Sequence, residues 1–511
     1  MSSWRYRLFL ILAAGGAFYA FFSYYVDMDD FFITMRYANN IAAGKGWVFN
    51  PGERVLGTTT PLFTLMITAF VWLGVPAIVA VRVLCSVFLF GTSVMCYKYC
   101  RNKEQENIGF AAGLLFCLLL PFKQLWGNEI PLCFFLLLGS LYFFDRQKWA
   151  LSAVFQCLYA LTRMEGLLFF ILCTGILFWR KKKIVWGAMI PFFVIIVPWL
   201  IFSALYFGDI FPNTLYAKAR QGTRPDIWIR FSAGFLNTLC NLFFNLRSPI
   251  PSVFALGGLF TLFRRRHILL LIWCGIHQIG YGILGVPGSY PWYYYPLWLL
   301  FPLAMAGGIH VMAQWQKSKV PYLICQIRFF GLLFLLLILS WFQPRWNVFF
   351  HGRHVLYQKA AEYIKENFPK GTEMIADEIG IFGYYLPDHV ILDTAGLVHR
   401  GFSPEAYFRY EYLVQTKKPL VIINCKYLSG QEQKESFWEP LFISLGAGKK
   451  ARYDVIQLFP GEKIMIRILK RAQYQESALT NQDPPIIETH QYHLLRKERC
   501  HGEKGKNYAM S

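Results

Sequence analysis

Long apolar segments alternate with short polar ones over the first two thirds of the chain. Many of them run for about 17–22 residues, which is long enough to cross the hydrocarbon core of a bilayer. The pattern predicts about eleven transmembrane helices at residues 8–25, 77–98, 107–121, 129–145, 149–162, 166–179, 184–206, 248–263, 267–285, 291–313 and 322–341. The shorter ones need tilt or shared polar ends. The chain is therefore expected to be a polytopic α-helical membrane protein.

The positions of the basic residues predict how these helices are oriented, because cytoplasmic loops carry an excess of Lys and Arg. The basic clusters are Arg101/Lys103, Arg146/Lys148, Arg180–Lys183, Arg264–Arg266 and Lys317/Lys319. All of them fall in the cytoplasm only if the short apolar stretch Pro61–Leu73 lies flat at the interface as an amphipathic helix. The N-terminus is then cytoplasmic, and a first loop (26–76) and a second large loop (207–248) of the module 1–342 lie outside.

Beyond the last span the composition becomes that of a soluble domain. Residues 343–470 are predicted to form a small extracytoplasmic α/β domain that begins with a helix at His354–Phe368. Further elements are predicted at Glu373–Asp377, Val390–Asp393, Ala406–Thr416, Pro419–Ile423, Tyr453–Leu458 and Lys463–Leu469, all strands except the helix Ala406–Thr416. The segment 471–511 is polar and lacks periodicity, so it is expected to be disordered.

Composition supports the membrane interpretation and excludes one other class. Only 16% of residues are charged and 55% are hydrophobic, whereas soluble proteins are about 25% charged. The net charge of +21 could suggest nucleic acid. However, the basic residues sit in short clusters between apolar runs, as the loops of a membrane protein do, so no nucleic-acid partner is predicted.

The first loop begins with the candidate chemistry. Asp27, Asp29 and Asp30 follow the first span directly, and ionisable groups at a membrane boundary are costly unless paired, hydrated or functional. Crowded carboxylates repel one another, which favours proton uptake by one of them and suits a general base. Arg36 lies two helical turns after Asp29, so it can neutralise a carboxylate or hold a phosphate. Taken alone, the cluster is explained equally well as an acidic cap on the first helix.

The rest of the first loop carries an ordered series of motifs. They are Asp-Asp at 29–30, Arg-Tyr-Ala at 36–38, Gly-x-Gly at 44–46, Phe-Asn-Pro-Gly-Glu-Arg-Val at 49–55 and Thr-x-Pro-Leu at 59–62. This series resembles the first loop of GT-C-fold glycosyltransferases, which use polyprenyl-phosphate sugars. It is similar above all to arabinofuranosyltransferases and their bacterial relatives. The fold also includes protein O-mannosyltransferases and lipid A aminoarabinose transferases, and these proteins share an interfacial helix after the first loop.

Three further stretches extend the resemblance to residues 25–220. Gly127–Leu132 is similar to a Gly-x-Glu-Thr-Pro-Leu turn, Leu161–Gly166 to Leu-Thr-Arg-Pro-Glu/Asp-Gly, and Pro212–Lys218 to Pro-Asn-Thr-x-Tyr-Ala-Lys. The chain departs from these patterns at Asn128, where a Leu or Met is usual, and at Met164, where a Pro is usual. Neither departure touches a proposed reactive group.

The resemblance implies an inverting sugar transfer in which a first-loop aspartate is the base. Asp30 and Asp29 are the catalytic candidates, with Asp30 ahead because the Asp-Asp pair aligns there. The expected ligands of the donor phosphate are Arg36, Lys218 and Arg220. Supporting or substrate-contacting roles are expected for Asp27, Tyr37, Asn50, Glu53, Arg54, Glu129, Arg163, Glu165, Asn213, Tyr216, Trp292 and Tyr293.

Several of these residues also have plainer interpretations. Lys218 and Arg220 can extend from the membrane to the interface, Arg163 and Glu165 can pair with each other, and Glu129 can accept hydrogen bonds from the first loop. Trp292 and Tyr293 can belong to an aromatic belt. No metal site is predicted, and nothing in the sequence supports a divalent ion.

The expected partners are the bilayer, a polyprenyl-phosphate sugar and a glycan, lipid or protein acceptor. The expected location is the bacterial inner membrane, with the active site and the C-terminal domain in the periplasm and a role in building or modifying cell-envelope glycans or lipopolysaccharide. A multispan transporter or flippase and a non-catalytic envelope assembly protein are the alternatives. Transporters usually show inverted repeats and broken midplane helices, and neither is evident in this sequence; the conspicuous polar residues cluster in the outer loops.

Overall fold

A computed structural model describes most of the chain. It covers residues 3–24, 26, 28–118, 125–223, 228–244, 249–264, 267–314, 321–341, 348–399, 413–414, 417, 419–427, 441–446, 449–460 and 464–472. Asp27 lies outside these residues, as do most of the predicted helix Ala406–Thr416 and nearly all of the predicted disordered tail.

The first two thirds of the chain are helical. The helices are α1 (Ser3–Ser23), α2 (Asp29–Ala42), α3 (Pro61–Trp72), α4 (Ala77–Asn102), α5 (Glu106–Leu118), α6 (Ile130–Asp145), α7 (Trp149–Thr162), α8 (Gly166–Lys181), α9 (Trp186–Pro191), α10 (Val197–Phe207), α11 (Asn213–Gly222), α12 (Phe231–Phe243), α13 (Pro249–Arg264), α14 (Ile268–Leu284), α15 (Tyr295–Ala313) and α16 (Tyr322–Trp341). A π-helical turn joins α9 to α10, and a short 3₁₀ turn precedes α15. Pro61 at the first position of α3 is the residue type favoured there.

Helices lie over each of the eleven predicted spans, but not all have the dimensions of a span. Within the described residues, 4 helices are long and apolar enough to cross a membrane: Trp4–Ser23, Ala77–Asn102, Trp186–Phe207 and Pro291–Ala313. Helices α13 and α14 are bent by 114° relative to each other, and the number of such helices rises to 5 if the two together form one broken span. The count of eleven, the flat orientation of α3 and the sidedness of the loops therefore stay predictions.

The two ends of the helical bundle differ in the loops they gather. At one end, Lys103 Nζ lies 2.7 Å from Asp145 Oδ2, and the ring of His267 hydrogen-bonds Gln105. These residues come from loops predicted to share the cytoplasmic side. The opposite ends of α6 and α14, near Glu129 and Tyr281, lie close to Asp30 of the first loop and to Leu397 of the C-terminal domain.

The C-terminal domain consists of α17 (Val348–Asn367), α18 (Ile379–Tyr385) and a six-stranded sheet. Its strands are β1 (Glu373–Ala376), β2 (Val390–Asp393), β3 (Val421–Tyr427), β4 (Leu441–Gly446), β5 (Lys449–Pro460) and β6 (Ile464–Arg471). The order across the sheet is β2-β1-β3-β6-β5-β4, with β1 parallel to both β2 and β3 and the remaining pairs antiparallel. Met374, Ile375 and Ala376 of β1 are all buried, as expected of a strand covered on both faces.

The sequence predicted this domain in outline. The strands near 373, 390, 419, 453 and 463 are confirmed, whereas β4 and the seven-residue helix α18 were not predicted. Helix α18 packs directly against α2. The short missed helix is therefore the element that joins the C-terminal domain to the start of the first loop.

Candidate active site

A cavity opens where the first loop, the ends of several helices and the C-terminal domain converge. It holds about 1000 Å³ of empty space, which includes open solvent at its mouth. The residues that line it include Asp30, Ile33, Thr34, Thr58, Thr60, Glu129, Arg163, Glu165, Thr214, Lys218, Tyr281, Trp292, Tyr293 and Leu397. Seven of the predicted site residues thus meet at one place, although they are spread over more than 260 positions.

Asp30 and Lys218 form an ion pair on the cavity wall. Lys218 Nζ lies 3.2 Å from Asp30 Oδ2 and 3.8 Å from the centre of the Tyr290 ring. The lysine is only 4% exposed, whereas the Asp30 side chain is 28% exposed. A carboxylate that faces a cavity can take a proton from a bound hydroxyl, and a buried lysine beside it can receive an anion.

Asp29 faces the C-terminal domain instead. The backbone N–H of Ile381, in α18, donates a hydrogen bond of 2.7 Å to Asp29 Oδ1. The two adjacent aspartates therefore have different partners, Lys218 for Asp30 and α18 for Asp29. The sequence motif alone did not reveal this difference.

Arg36 lies in the interface between the first loop and the C-terminal domain. It is 2% exposed, and burial lowers the pKa of its guanidinium to about 10, so it remains charged at neutral pH. All five of its N–H donors have partners: the carbonyls of Phe49, Gly383, Leu386 and His389, and Oδ1 of Asn50. This placement leaves no donor for a phosphate, so it does not favour the phosphate-binding role predicted for Arg36.

Asn50 extends this interface, whereas Tyr37 and Arg54 contact the first loop and α10. Asn50 pairs with the backbone of Ile391 in β2 through both its amide nitrogen and its oxygen. Tyr37 donates to the Val55 carbonyl, and Arg54 stacks 4.7 Å from the centre of the Tyr206 ring. The Asn-Pro-Gly-Glu-Arg-Val segment therefore connects the membrane module to the sheet, a role that its turn-forming residues alone did not indicate.

Glu53 is an acidic residue at this interface between the first loop and the C-terminal domain. It accepts a hydrogen bond of 3.2 Å from His399 and another from Asn50, and Lys417 lies 3.9 Å away. Burial alone would raise the pKa of Glu53, but these donors outweigh it and hold the pKa below its usual 4.5. A carboxyl whose pKa is lowered by folding stabilises the fold above its unfolded pKa and stops doing so as the pH falls through its folded pKa.

The unfolding temperature is therefore expected to fall as the pH drops below about 4.5, in part because Glu53 takes up a proton. The contribution should be less than about 1 kcal/mol, since the group is partly exposed. In a thermal unfolding series across this range, Glu53→Gln should show a smaller fall than the wild type. Glu362→Gln, on the exposed face of α17, is the matched control. Equal pH dependence in Glu53→Gln and the wild type would contradict the assignment.

The Pro-Asn-Thr motif at the start of α11 binds a turn of the C-terminal domain at the rim of the cavity. Asn213 Nδ2 donates to the carbonyls of Gly396, Leu397 and His399, and the Asn213 N–H donates to Leu56. On the other side of the same turn, the carboxylate of Asp393 accepts from the backbone N–H groups of Ala395, Leu397 and Val398. These contacts fix Leu397 of the C-terminal domain in the cavity wall.

Two residues of α11 lie away from this rim. Tyr216 is 40% exposed, and Arg220 is half-buried, whereas Lys218 between them points into the cavity. Residues two apart lie on nearly opposite sides of a helix. The structure thus brings Lys218, but neither Tyr216 nor Arg220, to the cavity wall.

Arg163 is the centre of a buried ionic cluster at the cavity floor. Its Nη1 lies 2.7 Å from Glu129, its Nε 2.5 Å from Glu165, and its Nη2 donates to Tyr281. His277 Nε2 lies 3.4 Å from Glu165. Burial alone would raise the pKa of Glu165, but Arg163 and His277 lower it to about 2.

The pairing of Arg163 with Glu165 follows the sequence prediction, and Glu129 has Arg163 as a partner. His277 and Tyr281 were missed, because they stand inside an apolar helix where nothing in the local sequence marks them. The rule that ionisable groups inside membrane helices are functional or paired could have drawn attention to His277.

Trp292 and Tyr293 form an aromatic wall. Both are buried and line the cavity, with Trp292 edge-on to Phe31 at 5.4 Å and Tyr293 at 5.0 Å from Tyr281. Burial favours a substrate platform over an aromatic belt, which faces lipid and water. Within the described residues, no group of three or more His, Cys, Asp or Glu side chains is placed to hold a metal ion.

Comparison of the sequence with known families identifies only the C-terminal domain. A family model described as "Domain of unknown function (DUF8728)" matches residues 346–479. No curated protein matches the sequence of the chain.

Solved structures are similar to the chain over most of its length. The structure of ArnT from Cupriavidus metallidurans bound to undecaprenyl phosphate matches with a TM-score of 0.55 and 11% identity, over 92% of this chain and 98% of that one. Its apo state matches with a TM-score of 0.56 and 11% identity, over 90% and 97%. The oligosaccharyltransferase from Archaeoglobus fulgidus, in complex with Zn and sulfate, matches with a TM-score of 0.50 and 12% identity, over 81% and 67%.

These neighbours are GT-C-fold glycosyltransferases. At such low identity the likeness shows the fold and nothing finer. The GT-C fold expected from the first-loop motifs is thereby confirmed.

Proposed function

We propose that this GT-C-fold chain is a membrane glycosyltransferase that moves a sugar from a polyprenyl-phosphate donor to an acceptor hydroxyl. The observation that carries the proposal is the Asp30–Lys218 pair, 3.2 Å apart on one cavity wall. A base and a phosphate-binding cation are the two groups that such a transfer needs most. The undecaprenyl phosphate named for the ArnT structure supports a lipid phosphate as the donor's carrier.

The reaction proceeds as a single displacement at the anomeric carbon. The acceptor oxygen bonds to that carbon as the bond to the phosphate oxygen breaks on the opposite face, so the configuration inverts. The acceptor's proton passes to the Asp30 carboxylate, and the electron pair of the broken bond leaves with the polyprenyl phosphate. Lys218 stabilises the negative charge that develops on this leaving phosphate.

The remaining cavity walls suit a sugar ring. Glu129 and Glu165 present carboxylates that can accept hydrogen bonds from hydroxyl groups, while Arg163 holds both in place. Trp292 and Tyr293 offer aromatic faces to the apolar side of the ring. We place this chemistry on the extracytoplasmic face of a bacterial inner membrane, in the assembly or modification of an envelope glycan, because the topology predicted from the sequence puts the basic clusters in the cytoplasm and the first loop outside.

The test uses the full chain in lipid nanodiscs. It is given undecaprenyl-phosphate donors carrying a labelled pentose, hexose or amino sugar, together with an envelope extract as acceptor. We expect one donor class to be consumed, with release of undecaprenyl phosphate and a product of opposite anomeric configuration. Failure to consume any donor, combined with failure to bind undecaprenyl phosphate, would rule out the transferase and favour a transport or assembly role.

Lys218→Gln is expected to weaken the binding of undecaprenyl phosphate by about 10- to 100-fold, because it removes a charge-assisted contact worth about 1.5–3 kcal/mol. The measurement is a binding titration in nanodiscs. Arg220→Gln is the comparison variant, since it removes the same charge from the same helix but away from the cavity wall. A larger loss in Arg220→Gln than in Lys218→Gln would move the phosphate site to Arg220.

A further inference from the structure

Helix α2 has two functional faces. Successive residues of an α-helix are about 100° apart, so Asp29 and Asp30 cannot point in the same direction. Asp30, Ile33 and Thr34, at helical spacing, line the cavity. Asp29, Phe32 and Arg36 share the other face, and all three contact α18 of the C-terminal domain.

These contacts hold α2 in its first turn and near its middle. The Ile381 N–H binds Asp29 Oδ1 at 2.7 Å in the first turn. Two turns later, Arg36 Nη1 donates to the Gly383 carbonyl at 2.7 Å and to that of Leu386 at 3.3 Å. Between them the Phe32 ring lies 5.4 Å from the ring of Tyr384. Contacts at two points seven residues apart oppose rotation of the helix about its axis.

The two helices approach so closely that glycine is required on α18. A Cβ atom on Gly380 would lie 1.9 Å from the Asp29 carbonyl oxygen and 3.1 Å from its carboxyl carbon. A Cβ on Gly383 would lie 2.6 Å from the Phe49 ring and 2.9 Å from Arg36 Cδ. The fit of α18 against α2 is thus specific to these two glycines.

We propose that the C-terminal domain sets the rotation of α2, and that Asp29 is a positioning residue through which it does so. The inference rests on the proposed function, in which Asp30 is the base. Asp29 takes the α18 N–H, Arg36 takes the α18 carbonyls, and Asp30 is thereby held towards the cavity. This gives the domain of unknown function at residues 346–479 a mechanical role in the transfer reaction.

The expected size of the effect follows from the geometry of catalysis. Displacing a reacting group by about 1 Å can slow a reaction by about 10²-fold. Lys218 stands on α11 and the aromatic wall precedes α15, so loss of the Asp29 contact should lower kcat more than it raises the KM for the donor. A variant that keeps the hydrogen bond should keep the rate.

The experiment compares Asp29→Asn, Asp29→Ala, Gly380→Ala and Asp30→Asn in full chains in nanodiscs, with the donor class that the wild type consumes. Asp29→Asn retains an oxygen that accepts the Ile381 N–H, so its kcat should stay within about threefold of the wild type. Asp29→Ala and Gly380→Ala should lose about 10- to 100-fold in kcat. Asp30→Asn should lose the most. Hydrogen exchange of α2 should quicken in Asp29→Ala and Gly380→Ala, and remain unchanged in the two Asn variants.

The outcomes separate this inference from the proposed function. If Asp29→Asn is as slow as Asp30→Asn, Asp29 takes part in the chemistry and the positioning role is wrong, while the transferase stands. If Asp29→Ala matches the wild type in both rate and exchange, the α18 contact has no such role. If Asp30→Asn keeps the wild-type rate, the base assignment fails. If the wild type consumes no donor, the exchange of α2 alone decides whether the domain holds it: unchanged exchange in Asp29→Ala overturns the inference.

Discussion

Asp30→Asn is expected to lower kcat for sugar transfer by about 10²- to 10⁴-fold, the usual contribution of a general base. The amide has nearly the shape of the carboxylate, and its oxygen can still accept from Lys218 Nζ, which lies 3.2 Å away in the wild type. Folding and binding of the lipid phosphate should therefore change little. What the amide lacks is the ability to take the proton that the acceptor oxygen must lose.

The measurement is the initial rate of transfer at saturating donor, beside a binding titration with undecaprenyl phosphate. Asp388→Asn makes the same chemical change at a solvent-exposed site, where the native carboxylate pairs with Lys370, and should transfer at the wild-type rate. An Asp30→Asn enzyme that retained more than about a third of the wild-type rate would place the base elsewhere.

Arg163→Met is expected to destabilise the fold by about 3–5 kcal/mol. Removing one partner from a buried ion pair leaves an uncompensated charge in a low dielectric, and here two carboxylates, Glu129 and Glu165, lose the same cation. Methionine fills a similar volume, so the loss reports charge rather than packing. Arg163→Lys keeps the charge but cannot reach both carboxylates and Tyr281 at once, so its loss of folding stability should be intermediate.

The free energy of unfolding, measured by denaturant titration in detergent micelles, checks this expectation. Because the partners act together, the double variant Glu129→Gln/Arg163→Met should be less destabilised than the sum of the two single changes. If Arg163→Met is within about 1 kcal/mol of the wild type, water reaches the cluster and the buried pair is weaker than its geometry indicates.

The helices and the outline of the site were predictable because each rests on local patterns. Apolar length marks the helices, and the first-loop motifs place Asp30, Glu53 and Thr60 in one continuous stretch. The series Arg163-Met-Glu165 also predicted its own pairing, since the two charges are two positions apart.

The partners of these residues were not predictable, because they are distant and often backbone atoms. Arg36 binds the carbonyl of Gly383, 347 positions away, and no residue type announces a carbonyl. This is why a phosphate was assigned to an arginine whose donors are all used within the fold. For the same reason, the sequence could not decide whether Asp29 or Asp30 is the base, since this depends on which neighbour packs against each face of α2.

The late position in the chain of the C-terminal residues at the cavity and at α2 has a consequence for how the protein is made. Ile381, whose N–H binds Asp29, and Leu397, which lines the cavity with Asp30, come from the last third of the chain. Each lies more than 340 positions after its aspartate. While the ribosome is still synthesising this region, the cavity lacks a wall and α2 lacks its support. Under the proposed function, a nascent or truncated polypeptide lacks a complete cavity, and we expect it to become competent for transfer only when the final domain has emerged and folded.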